Sequence, residues 1–185
     1  MRKAFIIHGA YGNSTENWSP WLKNELEQLD YEVIVPTFPT PEEQSLENWN
    51  NIFNKHIDTL DKDTILVGHS LGCPFILNIL QSIDIKINSI YLVAGFHTLL
   101  DHPIDEINKT FVEDGFDWTK IKNNYEKVVM LNGDNDPYIK KAISDELAEK
   151  LDATYEVIPD GGHLNSTAGY TKFEKLLSYI KGANL

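Results

Sequence analysis

The chain contains little cysteine and little positive charge. Cys73 is the only cysteine among 185 residues, so an intramolecular disulfide and a cluster of thiolate metal ligands are both excluded. Lysine and arginine total 16 against 28 aspartate and glutamate residues, which gives a formal net charge of −12. Because such a surface repels the phosphates of nucleic acids and anionic lipid headgroups, we expect neither as a partner.

The chain also lacks long apolar runs and repeats. No stretch approaches the roughly 20 apolar residues of a membrane-spanning helix. The apolar residues 4–7 are too few for the hydrophobic region of a signal peptide and lead directly into His8-Gly9. We therefore expect a cytoplasmic protein, and the length suits a single domain over residues 1–185.

Short apolar runs alternate with segments of helical periodicity. Several of the runs are continuous rather than alternating, which is typical of parallel strands buried on both faces. The six predicted strands are Lys3 to His8, Tyr31 to Val35, Thr64 to Val67, Asn88 to Ala94, Lys127 to Asn132 and Ala153 to Ile158. The five predicted helices are Trp18 to Leu29, Leu46 to Leu60, Phe75 to Ile83, Ile143 to Leu151 and Phe173 to Ile180. This alternation predicts a doubly wound α/β sheet with helices on both faces.

Two local features extend this prediction. Asn13 and Glu16 have the spacing of a capping box, which predicts the start of the first helix there. The connection over about residues 96–126 is longer than a crossover requires. It carries an apolar helical face, Ile104, Ile107 and Phe111, among acidic residues. We interpret it as a short lid or as a crossover helix with long loops.

The strongest chemical motif is Gly68-His69-Ser70-Leu71-Gly72. It follows the apolar run Ile65-Leu66-Val67 and precedes a helical segment, which is the setting of a nucleophile elbow. The serine occupies a strained turn, and glycines two residues before and after it avoid collisions with neighbouring backbone. The pattern predicts that Ser70 is a nucleophile and that the His69 side chain points away from it and serves packing.

A serine hydroxyl needs a neighbouring base. His163 follows the sixth predicted strand within Gly161-Gly162-His163. It is the one histidine that fits the order serine, acid, histidine of this type of fold. Asp136, which precedes Pro137 after the fifth strand, is our preferred acid by the same order and spacing. Asp134 is a near alternative and Asp160 a distant one.

Acyl transfer also needs donors for the developing oxyanion. The backbone N–H of Leu71 follows the nucleophile, and the loop after the first strand offers the N–H of Ala10, with Tyr11 as the next choice. All these groups follow the carboxyl ends of predicted parallel strands, where open α/β sheets place their sites. Aromatic residues could line an acyl pocket, with core packing as the alternative role for each: Tyr11, Phe96, Phe111, Phe116 and Trp118.

Several motifs together resemble the retinoblastoma-binding-protein-9-like (YdeN-type) small serine hydrolases, over nearly the whole chain. They are Phe5-Ile6-Ile7-His8-Gly9, Trp18-x-x-Trp21-Leu22, the elbow, Phe116-Asp117-Trp118-x-x-Ile121, Gly133-Asp134-Asn135-Asp136-Pro137-Tyr138 and Gly161-Gly162-His163-Leu164-Asn165 followed by Gly169-Tyr170. The resemblance implies an α/β-hydrolase fold with a six-stranded parallel sheet in the order 2-1-3-4-5-6, and a triad of Ser70, Asp136 and His163.

The resemblance also implies hydrolysis of carboxylic esters or amides. The retinoblastoma-binding motif Leu-x-Cys-x-Glu is not present, since the nearest string, Leu71-Gly72-Cys73-Pro74-Phe75, ends in phenylalanine. We therefore expect a cofactor-free and metal-free serine hydrolase acting on a small ester. The alternatives are a binding protein on the same fold, or another reaction of that fold such as acyl transfer, C–C hydrolysis or a lyase reaction.

Overall fold

The computed structural model describes residues 2–182, and six strands within that range form one parallel sheet in the order β2-β1-β3-β4-β5-β6. The strands are β1 (Arg2–Ile7), β2 (Tyr31–Ile34), β3 (Ile65–His69), β4 (Ile87–Val93), β5 (Tyr125–Gly133) and β6 (Thr154–Ile158). Every predicted apolar run overlaps one of them. The predicted fold class and strand order are therefore confirmed.

Seven helices accompany the sheet in the described part of the chain. They are α1 (Ser19–Glu27), α2 (Leu46–Ile57), α3 (Gly72–Ser82), α4 (Asp105–Asn108), α5 (Trp118–Asn123), α6 (Lys141–Leu151) and α7 (Glu174–Lys181). Five of them overlap the predicted helical segments. Helix α5 was not predicted, because six residues show too little of the 3.6-residue period.

The sheet separates two apolar cores. Side chains alternate along a strand, so Phe5 and Ile7 enter the core beneath α2 and α3, while Ala4 and Ile6 enter the core beneath α1 and α7. All four are fully buried. This double burial explains why β1 reads as a continuous apolar run rather than as an alternating one.

The predicted capping box does not begin a helix, and this expectation is corrected. Asn13 Nδ2 donates to Glu16 Oε1 at 2.6 Å, a bond between two side chains, whereas the bonds of a capping box join each side chain to a backbone N–H. Helix α1 begins only at Ser19, with Trp18 at its N-cap and Pro20 in its first turn. The Asn13–Glu16 contact instead closes a turn in the loop between β1 and α1.

The long connection after β4 packs on the sheet over much of its length. It contains α4, a 3₁₀ turn over Lys109–Phe111, and α5. Phe111 and Ile121 are buried in the core that α3 covers. Residues 100–104 of the connection instead reach the carboxyl edge of the sheet and border a cavity there. Across residues 2–182, none of the helices combines the length and apolarity that crossing a bilayer demands.

Candidate active site

Ser70 occupies a strained turn between β3 and α3. Its φ angle is +53°, in the left-handed region that a residue with a side chain rarely adopts. The Ser70 backbone N–H donates to the Val93 carbonyl at the end of β4, at 2.9 Å, so the neighbouring strand holds the turn in place. Strain of this kind persists only where the surrounding structure fixes it.

The two glycines of the motif are needed for close backbone contact. A Cβ atom added to Gly68 would lie 2.8 Å from the Gly72 carbonyl oxygen, and one added to Gly72 would overlap the Ile7 carbonyl oxygen. The first turn of α3 therefore packs directly on the end of β1. This contact places Ser70 over the carboxyl edge of the sheet.

We expect Gly72→Ala to destabilise the fold by about 2–3 kcal/mol, as overpacking of a rigid site does. The new methyl group would meet backbone of the central strand β1, which cannot move without disturbing the sheet. Gly95→Ala is the control, because the atom nearest to a Cβ added there is Cδ2 of the flexible Leu147 side chain, 3.4 Å away. Urea unfolding followed by circular dichroism measures both variants. An unchanged midpoint for Gly72→Ala would contradict the packing account.

His163 lies in the loop after β6 and contacts Asp136 in the loop after β5. His163 Nδ1 is 2.8 Å from Asp136 Oδ2, and the exposed fractions of the two side chains are 10% and 1%. A carboxylate only accepts hydrogen bonds, so Nδ1 carries the proton and Nε2 of a neutral imidazole remains an acceptor. That tautomer is the one that a general base requires.

Asp136 is itself held by backbone. Its other oxygen, Oδ1, accepts hydrogen bonds from the N–H groups of Tyr138 at 2.9 Å and Ile139 at 3.1 Å. These two bonds hold Oδ1 against the turn, and Oδ2 contacts the imidazole. The adjacent Tyr138 ring packs edge-on against the His163 ring at 4.9 Å.

The alternative acids have another role. Asp134 Oδ1 accepts a hydrogen bond from the Asp160 N–H at 2.8 Å, and Asn135 Oδ1 accepts one from the Gly162 N–H at 2.6 Å. Both side chains therefore tie the loop after β5 to the loop after β6. Asp136 is the acid among the three candidates that hydrogen-bonds to His163.

Ser70 and His163 line the same cavity, whose volume is about 450 Å³. Within residues 2–182, the Ser70 hydroxyl forms no hydrogen bond, and the imidazole is hydrogen-bonded to Asp136 alone. Hydrogen bonds between nucleophile and base are often long before substrate arrives and tighten in the complex. The structure thus brings the three side chains to one edge of the sheet, with the carboxylate–imidazole bond already formed.

His69 packs as predicted and also forms a hydrogen bond that the sequence did not indicate. Its ring contacts Trp18, but its Nε2 also donates to the His163 carbonyl at 3.0 Å. Trp18 Nε1 donates to the next carbonyl, Leu164, at 3.0 Å. The elbow and the entry to α1 therefore both hold the backbone that carries His163.

The burial of His69 makes the stability of the fold sensitive to acid. Burial, and to a smaller extent the nearby His163, lowers the pKa of His69 to about 3. In the unfolded chain the pKa of the imidazole is about 6.5. Stability from this residue is therefore complete above pH 6.5 and is lost as the pH falls towards 3, because the unfolded chain takes up a proton that the folded one does not.

We expect this loss to be about 2 kcal/mol between pH 7 and pH 5. His69→Gln keeps an N–H donor for the His163 carbonyl but has no ionisable group. Between pH 7 and pH 5, the free energy of unfolding of the natural protein should therefore fall by about 2 kcal/mol more than that of the variant. Urea titrations of both proteins at the two pH values measure the difference. Identical pH dependence in the variant and the natural protein would contradict this assignment.

The two candidate oxyanion donors are the N–H of Leu71, which follows Ser70, and that of Ala10, which lines the same cavity as Ser70. In the part of the chain that the structure describes, neither the Ala10 nor the Leu71 N–H has a hydrogen-bond acceptor, whereas the alternative, the Tyr11 N–H, donates to Thr40 Oγ1 at 2.7 Å. A Cβ on Gly9 would lie 2.8 Å from Ser70 Cβ. Glycine at this position therefore lets the loop after β1 approach the nucleophile.

His8 fixes the orientation of that loop, a role that the sequence analysis did not assign. Its Nδ1 bonds to the Gly9 carbonyl at 2.8 Å, and its Nε2 accepts from the Phe38 N–H at 3.0 Å. The Gly12 N–H also donates to the Gly9 carbonyl, at 3.2 Å. Because a trans peptide is planar, fixing the Gly9 carbonyl fixes the Ala10 N–H on the opposite edge.

Most of the aromatic residues predicted to line a pocket lie elsewhere. Tyr11 borders the cavity. The other four do not border it, because their rings pack in or against the core over α3: Phe96, Phe111, Phe116 and Trp118. The prediction for these four is corrected. Polar residues missed by the sequence analysis line the cavity instead, including Glu16, Asn17, Asn165 and Ser166.

A signal for part of this missed set was present in the sequence. Asn165 and Ser166 follow His163 by two and three residues, so they share the same loop at the sheet edge. Glu16 and Asn17 gave no such signal, because a loop between β1 and α1 can fold in many ways. Asn17 Oδ1 accepts from the Ser166 N–H at 2.8 Å, and this contact joins the two loops.

A parallel sheet with a strained serine after β3, and a histidine–carboxylate pair after β6 and β5, defines the α/β-hydrolase class. The family model described as "Serine hydrolase" matches residues 4–181, and the chain belongs to this family. YdeN of Bacillus subtilis (strain 168) is 31% identical over 97% of this chain and 96% of its own length.

Further comparisons agree with this placement in the family. The serine hydrolase RBBP9 of Rattus norvegicus is 24% identical, over 97% of this chain and 94% of its own. The crystal structure of the Bacillus subtilis ydeN gene product superposes with a TM-score of 0.92 at 29% identity, covering 98% of each chain. Est1E from Butyrivibrio proteoclasticus shares the fold, with a TM-score of 0.72 at 15% identity over 98% of this chain and 90% of its own. The predicted family resemblance is confirmed.

Proposed function

We propose that this serine hydrolase cleaves small carboxylic esters through a covalent acyl-enzyme intermediate on Ser70. One observation carries the proposal: the 2.8 Å hydrogen bond between His163 Nδ1 and Asp136 Oδ2 lies at the cavity that also contains the strained Ser70. This combination leaves Nε2 of His163 available to take a proton from the serine hydroxyl.

In the first step, Ser70 Oγ attacks the ester carbonyl carbon while His163 Nε2 takes the hydroxyl proton. The carbonyl oxygen becomes an oxyanion, which the N–H groups of Ala10 and Leu71 stabilise. The tetrahedral intermediate then expels the alcohol, which leaves with the proton from His163 Nε2. Asp136 remains ionised throughout and stabilises the imidazolium.

In the second step, water attacks the acyl-enzyme carbonyl and gives its proton to His163. A second tetrahedral intermediate collapses, the acid is released, and the proton returns to Ser70 Oγ. The reaction uses one water and produces one acid and one alcohol. We propose a small-molecule substrate and a cytoplasmic location. The net charge of −12 also argues against nucleic-acid or membrane partners.

The experiment that tests this function is hydrolysis of p-nitrophenyl esters of increasing acyl length. The cavity of about 450 Å³ accommodates a short acyl chain together with the leaving group, so we expect turnover of the acetate and butyrate and a sharp fall for the palmitate. Absence of turnover for every chain length would contradict the esterase proposal. It would direct attention to another reaction on the same serine.

A further inference from the structure

The cavity beside Ser70 has two kinds of lining. Its polar part comes from the loop after β1 and the loop that carries His163: Gly12, Glu16, Asn17, Asn165, Ser166 and Thr167. Its apolar part comes from the connection after β4, through Leu100, Pro103 and Ile104, and the same connection also adds the polar residues His102 and Asn108. A ligand that fills both parts therefore has an apolar portion and a polar portion, with the scissile bond between them at Ser70.

The fixed charge of this cavity is negative. Among the described residues that line it, Glu16 is the one carboxylate, and the lining includes no lysine or arginine. Two basic residues lie close to the lining in sequence, and each has an acidic partner: Lys109 Nζ is 3.8 Å from Glu106 Oε2, and Lys140 Nζ is 3.3 Å from Asp101 Oδ2. A substrate in this cavity thus meets the negative charge of Glu16 with no lysine or arginine in the lining to offset it, within a protein of net charge −12.

The Glu16 carboxylate is held in place and its charge acts within the site. Asn13 Nδ2 donates to Glu16 Oε1 at 2.6 Å, which limits rotation of the side chain. Burial lowers the pKa of His8, and the hydrogen bond with the Gly9 carbonyl and, to a smaller extent, the negative charge of Glu16 counteract part of that effect.

Two tyrosine rings complete the setting. Tyr11 and Tyr138 both line the cavity while 61% and 42% exposed, which places them at its mouth. Tyr11 is held with a φ angle of +58°, a strained conformation that directs a large aromatic side chain outwards. Aromatic faces together with a carboxylate are the groups that proteins use to bind organic cations.

We infer that the preferred substrates are esters whose polar portion carries a positive charge, with Glu16 as the specificity-determining residue, and that esters with an added negative charge are rejected. The inference rests on the proposed esterase function. It assigns the substrate class by charge: a quaternary or primary ammonium group on one side of the scissile ester and a short apolar group on the other.

Pairs of substrates that differ only in charge test the inference. Acetylthiocholine is compared with S-(3,3-dimethylbutyl) thioacetate, in which carbon replaces the nitrogen. The p-nitrophenyl ester of 4-(trimethylammonio)butanoate is compared with that of 5,5-dimethylhexanoate, which moves the charge to the acyl side. We expect kcat/KM to favour the cation by about 3- to 10-fold in at least one pair, and the preference to shrink in 0.5 M NaCl because salt screens the attraction.

Glu16→Gln should reduce that preference to about 1-fold; the preference is the ratio of kcat/KM for the charged ester to that for its neutral partner, so a change common to both esters cancels. Glutamine keeps the oxygen that accepts from Asn13. Glu149→Gln, on the exposed surface of α6 and outside the cavity lining, changes the net charge equally and should keep the preference. Equal kcat/KM within both pairs, or a preference that survives Glu16→Gln, would overturn the inference. Failure of the esterase proposal can be told apart from failure of this inference, because the neutral esters would then also remain unhydrolysed.

Discussion

Ser70→Ala is expected to lose ester hydrolysis by at least about 10³-fold in kcat/KM. The hydroxyl at this position is the group that we propose attacks the carbonyl carbon, and no other hydroxyl shares the strained turn after β3. Removing the nucleophile leaves only the oxyanion donors and substrate binding, which retain a small part of the rate enhancement. Initial rates with p-nitrophenyl butyrate, compared with the unmodified protein, measure the loss.

The variant should remain folded, which makes a loss of activity interpretable. Alanine keeps the Ser70 backbone N–H that donates to the Val93 carbonyl, and the deleted hydroxyl forms no hydrogen bond with the residues described. We expect the urea midpoint of the variant to match that of the natural protein. A folded Ser70→Ala protein with undiminished turnover would remove the nucleophile assignment.

Asp136→Asn is expected to lower kcat by about 10³- to 10⁴-fold. An amide placed against His163 Nδ1 can offer its N–H₂ group, which favours the tautomer with the proton on Nε2. That tautomer cannot accept a proton from serine. The imidazolium formed during the reaction also loses its ionised partner. Steady-state kinetics with one ester, at a pH where the natural enzyme is fully active, measure the effect.

Asp134→Asn is the matched control, because it removes the same charge from the same turn. Its Oδ1 can still accept from the Asp160 N–H, as Asp134 does at 2.8 Å, so we expect kcat to change by less than about 10-fold. A larger loss for Asp134→Asn than for Asp136→Asn would reassign the acid.

The sheet could be predicted closely because its signal is local. A strand buried on both faces has a near-continuous apolar run, so β3 is visible as Ile65-Leu66-Val67 and β4 as Ile90-Tyr91-Leu92-Val93. The nucleophile turn is also visible in a short window, because its two glycines lie two residues before and two residues after Ser70. The first helix start was misplaced because a capping-box pattern also suits the isolated turn between Asn13 and Glu16.

The candidate site was only partly predictable because it depends on contacts between distant loops. Order along the chain favoured Asp136, but the hydrogen bonds of Asp134 to the Asp160 N–H and of Asp136 to His163 separate their roles. The cavity lining was largely missed. Aromatic side chains such as Phe111 have the right chemistry for a pocket, yet the core over α3 buries them. Polar loop residues take that place, and periodicity carries no information about them.

The central claim is that His163 lies close enough to Ser70 to take the proton of its hydroxyl. Covalent labelling tests this claim most directly. The protein is incubated with a fluorophosphonate, digested, and the modified peptide is sequenced by mass spectrometry. The account predicts a single adduct on Ser70 in the natural protein, and a rate of adduct formation reduced by orders of magnitude in His163→Ala, since the hydroxyl then has no base. Absence of a Ser70 adduct, or equal labelling rates with and without His163, would contradict it.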